Sequence, residues 1–199
     1  RREKVQTTAT DDTTVLIVED DSSVAELYAA WLSAEHDVRS ANGGREALKL
    51  VDGVDVVFLD RQMPGMSGDE VLETIEARDL DCQVVMVTAI DPDFDIVDMP
   101  FDDYLTKPVG RSDLLEMVET MQARNSCDEQ LQEYFSMASK KATLESEKGA
   151  AELEANEEYH EVNQRVEALR EQANSDDAEL DDLDSAFRDF PTSFGYSSH

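Results

Sequence analysis

The stretch Val-Leu-Ile-Val at residues 15–18, with Glu-Asp-Asp directly behind it at 19–21, decides the fold of this chain. A short run of apolar, mostly β-branched residues is typical of a strand buried on both faces of a parallel sheet. Three further extended runs also end at polar residues: 56–59 at Asp60, 84–87 at Thr88-Ala89, and the fainter 104–106 at Lys107-Pro108. Each polar group therefore falls at the carboxyl end of a predicted strand, the edge at which open α/β sheets bind ligands.

Helical patterns separate these strands. Ser22 is the predicted N-cap of the first helix, and its predicted inner face consists of Val24, Leu27, Tyr28, Trp31 and Leu32. Val38 marks a weak second strand, and residues 45–51, 69–77 and 112–123 have further helical patterns. Pro92, Pro100 and several aspartates predict a short or irregular fourth helix. Strands joined by helices of this length predict a doubly wound, five-stranded parallel sheet of the α/β class.

The composition is strongly acidic, because 47 acidic residues accompany 17 basic ones and give a net charge of −30. An acidic excess of this kind is typical of proteins from a cytosol at molar salt, where the Debye length is about 3 Å and self-repulsion is screened. The alternative is an acidic mesophilic protein. Either way, the charge argues against broad contact with nucleic acid or an anionic membrane, since both need a basic surface.

Cysteine content and hydropathy indicate the compartment. Cys82 and Cys127 are too few for a disulfide framework and fit a reducing interior. No apolar run approaches the ~18 residues of a membrane span, and no apolar core follows Arg1-Arg2 as a twin-arginine export signal requires. We therefore expect a cytoplasmic protein with no membrane partner, and residues 1–13 as a disordered tail.

The chain changes character after Cys127, where strand patterns cease and Glu, Ala, Gln, Lys and Leu dominate. Apolar residues recur at helical spacing in two sets: Leu131, Tyr134, Phe135, Ala138 and Ala142, then Tyr159, Val162, Val166, Leu169 and Ala173. The second set gives two heptads of a coiled-coil seam. We predict two helices with a break near Gly149, either folded back as a hairpin or nearly collinear. One more short amphipathic turn is predicted within 180–190, and a disordered tail at 191–199.

The polar strand ends also predict a chemistry. Glu19, Asp20 and Asp60 follow strands that we expect to be adjacent, and adjacent strand ends lie about 5 Å apart. Mg²⁺ prefers octahedral oxygen ligation and takes one or two carboxylates together with water and phosphate oxygens. Lys107 is a point cation suited to a phosphate oxygen or a carboxylate, and Thr88 adds a hydroxyl. These residues together suggest a site for Mg²⁺ and a phosphoryl group.

Residues 14–124 resemble the receiver domain of two-component response regulators, which has a flavodoxin-like fold. The resemblance rests on the order of the four polar groups and on the Met-Pro-Gly-Met-Ser-Gly loop at 63–68. It implies that Asp60 accepts a phosphoryl group from a sensor histidine kinase and also ligates Mg²⁺. It further implies that the metal is bound directly by Asp20, through water by Glu19, and by the backbone carbonyl of Gln62.

The same resemblance implies a switch. Thr88 would hydrogen-bond the new phosphoryl group, the small Ala89 would leave room for it, and Lys107 would contact a phosphate oxygen. Tyr104 occupies the position of the aromatic residue that turns inward in receivers when the threonine moves, and a tyrosine that is merely packed is the alternative. The peptide bond before Pro108 is commonly cis in the family, and we expect it to be cis here.

Residues 125–190 resemble the HalX domain attached to receivers in halophilic archaea, notably at 128–135 and 139–142. Proteins with this domain are often called transcriptional regulators. The apolar stripe favours a homodimer through the helical module or the binding of a partner helix, and plain packing, which is the more frequent role of such a stripe, is the alternative. Contact with DNA or the transcription machinery is left open, because the candidate cations Lys140, Lys141 and Lys148 are flanked by glutamates.

The predicted function is that of a response regulator, which relays phosphorylation of Asp60 to a helical output module and so regulates transcription. One alternative is a Mg²⁺-dependent aspartyl-phosphate hydrolase. Hydrolases of the haloacid dehalogenase type carry a second acid two residues after the nucleophile, where Gln62 stands. We therefore expect no enzyme, and at most slow self-dephosphorylation. A second alternative, a constitutive interaction scaffold, is disfavoured by the presence of both Asp60 and Lys107.

Overall fold

The computed structural model describes residues 13–125, 127 and 129–175, with the backbone alone for 173–175. Its strands are β1 (Thr14–Val18), β2 (Asp37–Ala41), β3 (Val56–Leu59), β4 (Gln83–Thr88) and β5 (Asp103–Thr106). Its helices are α1 (Ser22–Leu32), α2 (Gly44–Leu50), α3 (Gly68–Ala77), a 3₁₀ helix (Phe94–Asp98), α4 (Arg111–Asn125), α5 (Glu129–Glu147), α6 (Ala150–Glu154) and α7 (Glu157–Ser175). All strands are parallel, in the order β2-β1-β3-β4-β5, which confirms the predicted doubly wound sheet.

The N-terminal boundary differs slightly from the prediction. Thr13, which the sequence assigned to the disordered tail, is buried, and its carbonyl accepts a hydrogen bond from the Asp37 backbone N–H at 3.1 Å. The remaining predicted tail residues, 1–12 and 191–199, and the predicted turn within 180–190 lie outside the described residues.

Two predictions about α1 are wrong. The N-cap is Asp21 and not Ser22. The Asp21 carboxylate accepts hydrogen bonds from the backbone N–H groups of Ser23 and Val24, at 2.9 and 3.4 Å. A carboxylate also interacts favourably with the positive end of the helix dipole. The second error is Leu27, which is 46% exposed. The other predicted residues of the inner face are confirmed: Tyr28 and Leu32 are buried together with Ala25, and Val24 and Trp31 pack against the same cluster.

Helices cover both faces of the sheet. Helices α1 and α4 pack on one face, and α2 and α3 pack on the other. Between β4 and β5 the connection contains only the 3₁₀ helix, which confirms the predicted short fourth helix. Because this connection is short, the first half of the chain covers the sheet less completely near β5 than elsewhere.

The C-terminal helices form an antiparallel hairpin, which decides between the two predicted arrangements. The Tyr159 hydroxyl donates to the Glu145 carboxylate at 2.6 Å, and Arg165 pairs with Glu133, so positions on α7 run backwards along α5. The predicted break near Gly149 is confirmed, since Gly149 is the N-cap of the short helix α6. We call α5, α6 and α7 together the C-terminal hairpin.

The described part of the predicted coiled-coil seam packs within the chain itself, and the side chain of Ala173 lies outside the described residues. Val162, Val166 and Leu169 are each at most 6% exposed, and α7 packs against both α5 and the 3₁₀ helix. Leu144 and Val162 belong to the same apolar cluster as sheet residues such as Met86. The C-terminal hairpin therefore completes one face of the sheet, and its apolar stripe is covered by the chain's own residues.

Polar contacts fix the hairpin to the β5 edge. Lys140 is 3% exposed, and its ammonium donates to the Val97 carbonyl at 3.1 Å and lies 5.1 Å from the centroid of the Phe101 ring. The Ser139 hydroxyl donates to the Asp103 carboxylate at 2.7 Å. Because each of these groups is buried, each contact is needed to avoid an unsatisfied polar atom.

Asp102, just before β5, carries a cost in stability at neutral pH. Burial raises the pKa of its carboxyl group to about 6, although the Val84 N–H, at 2.7 Å from the carboxylate, and the Arg124 charge both lower it. An unfolded chain would titrate this group at about 3.9. The folded state therefore binds the proton more tightly, and ionisation of Asp102 reduces stability as the pH rises from about 4 to about 6.

Replacement Asp102→Asn should increase the free energy of unfolding by about 1–2 kcal/mol at about pH 7 and leave it nearly unchanged at about pH 4. The amide oxygen can keep the Val84 hydrogen bond, and the cost of burying a charge is removed. Urea unfolding in molar KCl at the two pH values measures the effect, with the exposed Asp52→Asn as the matched control. An equal change at both pH values would contradict the assignment.

Candidate functional site

Three carboxylates meet at the carboxyl edge of the sheet. Strands β1 and β3 are neighbours with Val18 opposite Leu59, so the residues that follow them, Glu19 and Asp60, lie side by side. Oxygens of Glu19, Asp20 and Asp60 all lie within 4.8 Å of one another. Glu19 is 4% and Asp60 is 7% exposed, whereas Asp20 faces solvent. The sheet topology thus brings together the acidic residues that the sequence predicted to be close.

Lys107 joins two of these carboxylates. Its ammonium lies 2.5 Å from Glu19 Oε2 and 2.6 Å from Asp60 Oδ2. Its backbone N–H donates to the Thr88 carbonyl at 2.8 Å, which fixes the residue at the end of β5, and the peptide bond to Pro108 is cis as expected. Burial lowers the pKa of Lys107, but the hydrogen bonds and charges of Asp60 and Glu19 outweigh it and raise that pKa overall.

The electrostatic balance of the site fits a divalent cation. One ammonium faces three carboxylates, and burial raises the pKa of Glu19 even though Lys107 lowers it. Hard carboxylate oxygens at this separation are ligands of the kind that Mg²⁺ prefers. The Gln62 backbone N–H donates to Asp60 Oδ1 at 3.1 Å, so Gln62 belongs to the same loop. Metal ligation by its carbonyl stays a prediction.

The predicted switch residues share a hydrogen-bond partner. Thr88 and Tyr104 are both fully buried. The Ile90 backbone N–H donates to Thr88 Oγ1 at 3.3 Å, and the Tyr104 hydroxyl donates to the Ile90 carbonyl at 2.8 Å. Burial raises the pKa of Tyr104 to about 12, so its hydroxyl remains a donor at neutral pH. Ala89, between Thr88 and Ile90, is exposed.

Two residues of the site were not identified from the sequence. Arg61 forms ion pairs with Asp69 on α3 and Asp95 on the 3₁₀ helix, and its position directly after Asp60 was the only sequence signal. Gly68 packs so closely on the acceptor that a Cβ atom there would lie 2.2 Å from the Asp60 carbonyl oxygen. The sequence indicated Gly68 only by its place at the end of the 63–68 loop.

The lysines considered as DNA contacts are engaged within the chain. Lys140 is buried at the β5 edge, Lys148 lies 3.0 Å from an Asp93 carboxylate oxygen, and Lys141 is 3.9 Å from the Glu145 carboxylate. These side chains therefore present little free positive charge to a nucleic acid. Among the described helices, none is both long and apolar enough to cross a membrane.

Comparisons with known proteins agree with the fold. A model of the response regulator receiver domain matches residues 15–119, and a model of the HalX domain matches 123–193. A Haloferax volcanii protein named "Putative transcriptional regulator" is 47% identical over 158 residues, which cover 78% of this chain and 27% of that protein. The sensory transduction protein RegX3 of Mycobacterium tuberculosis H37Rv is 37% identical over 59% of this chain and 54% of its own.

A solved structure extends the comparison. The receiver domain of the Francisella response regulator 1452 superimposes with a TM-score of 0.54 at 27% identity, over 57% of this chain and 99% of that domain. The chain spans between about a quarter and about half of the length of the two curated relatives, 27% and 54%. On the residues matched, the chain belongs to the response regulator receiver family and carries a HalX domain after its receiver domain.

Proposed function

We propose that this chain is a phosphorylation-controlled response regulator, in which Asp60 accepts a phosphoryl group from a sensor histidine kinase. The observation that carries the proposal is the Lys107 ammonium within 2.6 Å of Asp60 and 2.5 Å of Glu19, in a cluster that also contains Asp20. A site built only for stability would not gather an excess of buried negative charge around one cation, because unpaired buried charge is costly.

In the transfer step, an Asp60 carboxylate oxygen attacks the phosphorus of a phosphohistidine. The new P–O bond forms as the P–N bond breaks, and the imidazole nitrogen keeps the electron pair of that bond. Asp20, Glu19 and Asp60 would hold Mg²⁺, which neutralises charge on the carboxylates and the phosphoryl oxygens. Lys107 then contacts a phosphoryl oxygen, and its backbone N–H is already held at the site by the Thr88 carbonyl.

The buried pair Thr88 and Tyr104 forms the proposed switch. The Thr88 hydroxyl can donate to a phosphoryl oxygen, and any movement of Thr88 disturbs Ile90, to which Tyr104 is also bonded. Because Thr88 and Tyr104 both bond to Ile90, a movement of one residue shifts the other. The charge added at Asp60 therefore changes the packing of β5. The proposed chain of events is phosphorylation, repositioning of Thr88, and a changed surface at the β5 edge.

The C-terminal hairpin is the proposed output, because it packs on the 3₁₀ helix and β5, next to that switch. Regulation of transcription is proposed from the name of the Haloferax relative and from the HalX match. Since the apolar stripe is covered within the chain and the lysines are engaged, a protein partner or a second copy fits better than direct DNA contact. The proposed location is the cytoplasm, and the proposed chemistry is acceptance and slow loss of the phosphoryl group without turnover.

Phosphorylation with a small-molecule donor tests the proposal. The chain in molar KCl is incubated with acetyl phosphate, with MgCl₂ or with EDTA, and analysed by intact-mass and peptide mass spectrometry. We expect one added phosphoryl group per chain, only with Mg²⁺, on the peptide that contains Asp60. Labelling that is independent of Mg²⁺, or that maps to another peptide, would overturn the proposed site.

A further inference from the structure

Arg61 lies between the acceptor and the surface that carries the C-terminal hairpin. Its guanidinium donates to both carboxylate oxygens of Asp69 at 3.0–3.2 Å and also pairs with Asp95 on the 3₁₀ helix. The Arg61 side chain is 13% exposed, and the guanidinium lies beside the Tyr104 hydroxyl. One side chain therefore connects the acceptor loop, α3, the 3₁₀ helix and the switch tyrosine.

The C-terminal hairpin in turn packs on the 3₁₀ helix. Lys148 lies 3.0 Å from Asp93, which caps the 3₁₀ helix, and its ammonium is 5.4 Å from the centroid of the Phe94 ring. Lys140 reaches the Val97 carbonyl from α5, and α7 also packs on this segment. Two consecutive sets of contacts thus connect Arg61, the residue after Asp60, with the hairpin: those of Arg61 with the 3₁₀ helix, and those of the 3₁₀ helix with the lysines.

We propose that Arg61 is a positioning residue that couples the phosphoryl state of Asp60 to the docking of the C-terminal hairpin on the 3₁₀ helix. The inference rests on the proposed phosphorylation of Asp60. A phosphoryl group adds a charge of about −1.5 to −2 and three acceptor oxygens to the residue before Arg61. The added group shifts the acceptor loop that carries Arg61, and loss of the Asp95 contact loosens the 3₁₀ helix beneath the hairpin.

This route differs from the proposed Thr88–Tyr104 switch. It runs through charged groups at the surface of α3 and the 3₁₀ helix, whereas the switch pair acts through the half-buried Ile90 backbone. Asp95 is 51% exposed at its side chain, so the Arg61–Asp95 pair can open without exposing a buried carboxylate. Arginine suits the role because its planar fork binds Asp69 through two N–H groups while it also pairs with Asp95, whereas a lysine ammonium is a point charge without such a fork.

Hydrogen exchange on the full chain in molar KCl tests the coupling, with Mg²⁺ and beryllofluoride as the phosphoryl mimic. In the wild type we expect amides of the 3₁₀ helix and α5 to exchange faster by a factor of about five or more when the mimic is bound, the lower end of ordinary coupling between sites. In Asp95→Asn we expect faster exchange before the mimic is added and a further change below about twofold. Asp91→Asn, an exposed carboxylate in the same connection, is the control and should respond like the wild type.

A second variant and an independent readout separate the two proposals. Arg61→Lys keeps the charge but not the fork, so its exchange response should fall between those of the wild type and Asp95→Asn. Acetyl phosphate labelling is measured in parallel and should be retained in Asp95→Asn. Absence of labelling in the wild type would refute the proposed function. Normal labelling with an unchanged exchange response in Asp95→Asn, or with no response in the wild type, would overturn the coupling alone.

Discussion

Asp60→Asn should reduce Mg²⁺-dependent labelling by acetyl phosphate to background. The substitution keeps the shape of the side chain but replaces the attacking carboxylate oxygens with an amide, which is a poor nucleophile and a weaker metal ligand. The fold should survive, because Lys107 keeps its contact with Glu19 at 2.5 Å. We expect a loss of stability well below the ~3–5 kcal/mol of a fully broken buried ion pair.

The matched variant is Asp20→Asn, which removes one carboxylate from the same cluster but leaves the acceptor in place. Asp20 is exposed, so its proposed role is confined to the metal. Labelling of Asp20→Asn should recover as the Mg²⁺ concentration is raised, whereas labelling of Asp60→Asn should not. Titration of labelling against MgCl₂, with thermal unfolding of each variant as a check on folding, distinguishes the two. Residual labelling of Asp60→Asn at another carboxylate would contradict the assignment of the acceptor.

The sheet and the location of the site could be predicted because strand ends carry a local signal. Buried parallel strands are continuous apolar runs, and the residue after each run is placed by sheet topology at one edge. Glu19, Asp60, Thr88 and Lys107 could thus be grouped without knowledge of any distance. The short connection between β4 and β5 was equally visible, since Pro92 and Pro100 limit helix length locally.

The packing of the hairpin could not be predicted from the same kind of signal. Periodicity shows that Val162, Val166 and Leu169 face something apolar, but it does not show whether the partner is a second chain or the chain's own α5. The burial of Lys140 was unexpected for a related reason, because lysine is almost never fully buried. Its position depends on a carbonyl and an aromatic ring far away in sequence, and no local pattern reports such contacts.

Residues that act through backbone geometry are also hard to identify from one sequence. Asp21 and Ser22 are both good N-caps, and only the orientation of the chain after β1 decided between them. The role of Arg61 is set by two carboxylate partners that lie 8 and 34 residues away, and no local pattern reports them. The steric role of Gly68 is a further case, because the backbone atoms that it contacts belong to Asp60 and Arg61.

Gly68→Ala should both destabilise the fold and impair phosphorylation. A Cβ atom at this position would lie 2.2 Å from the Asp60 carbonyl oxygen and 2.8 Å from Arg61 Cα, both backbone atoms that no side-chain rotation can move away. The Gly68 N–H also donates to the Arg61 carbonyl at 3.0 Å, so the clash would separate a bonded pair. Overpacking of this kind costs about 1–3 kcal/mol of unfolding free energy. Misplacement of a reacting group by about 1 Å can reduce its rate roughly 100-fold.

Gly43→Ala is the matched control, because a Cβ atom at Gly43 would meet nothing within 4 Å and the backbone there is extended. It should change the unfolding free energy by less than about 1 kcal/mol and leave labelling intact, as expected for Gly to Ala at a helix N-cap. Urea unfolding and the initial rate of acetyl phosphate labelling measure both effects in the two variants. If Gly68→Ala lost stability but labelled at the wild-type rate, the close packing would serve the fold alone. Equal behaviour of the two alanine variants would show that the loop can move away from Asp60, and the proposed steric control of the acceptor would be wrong.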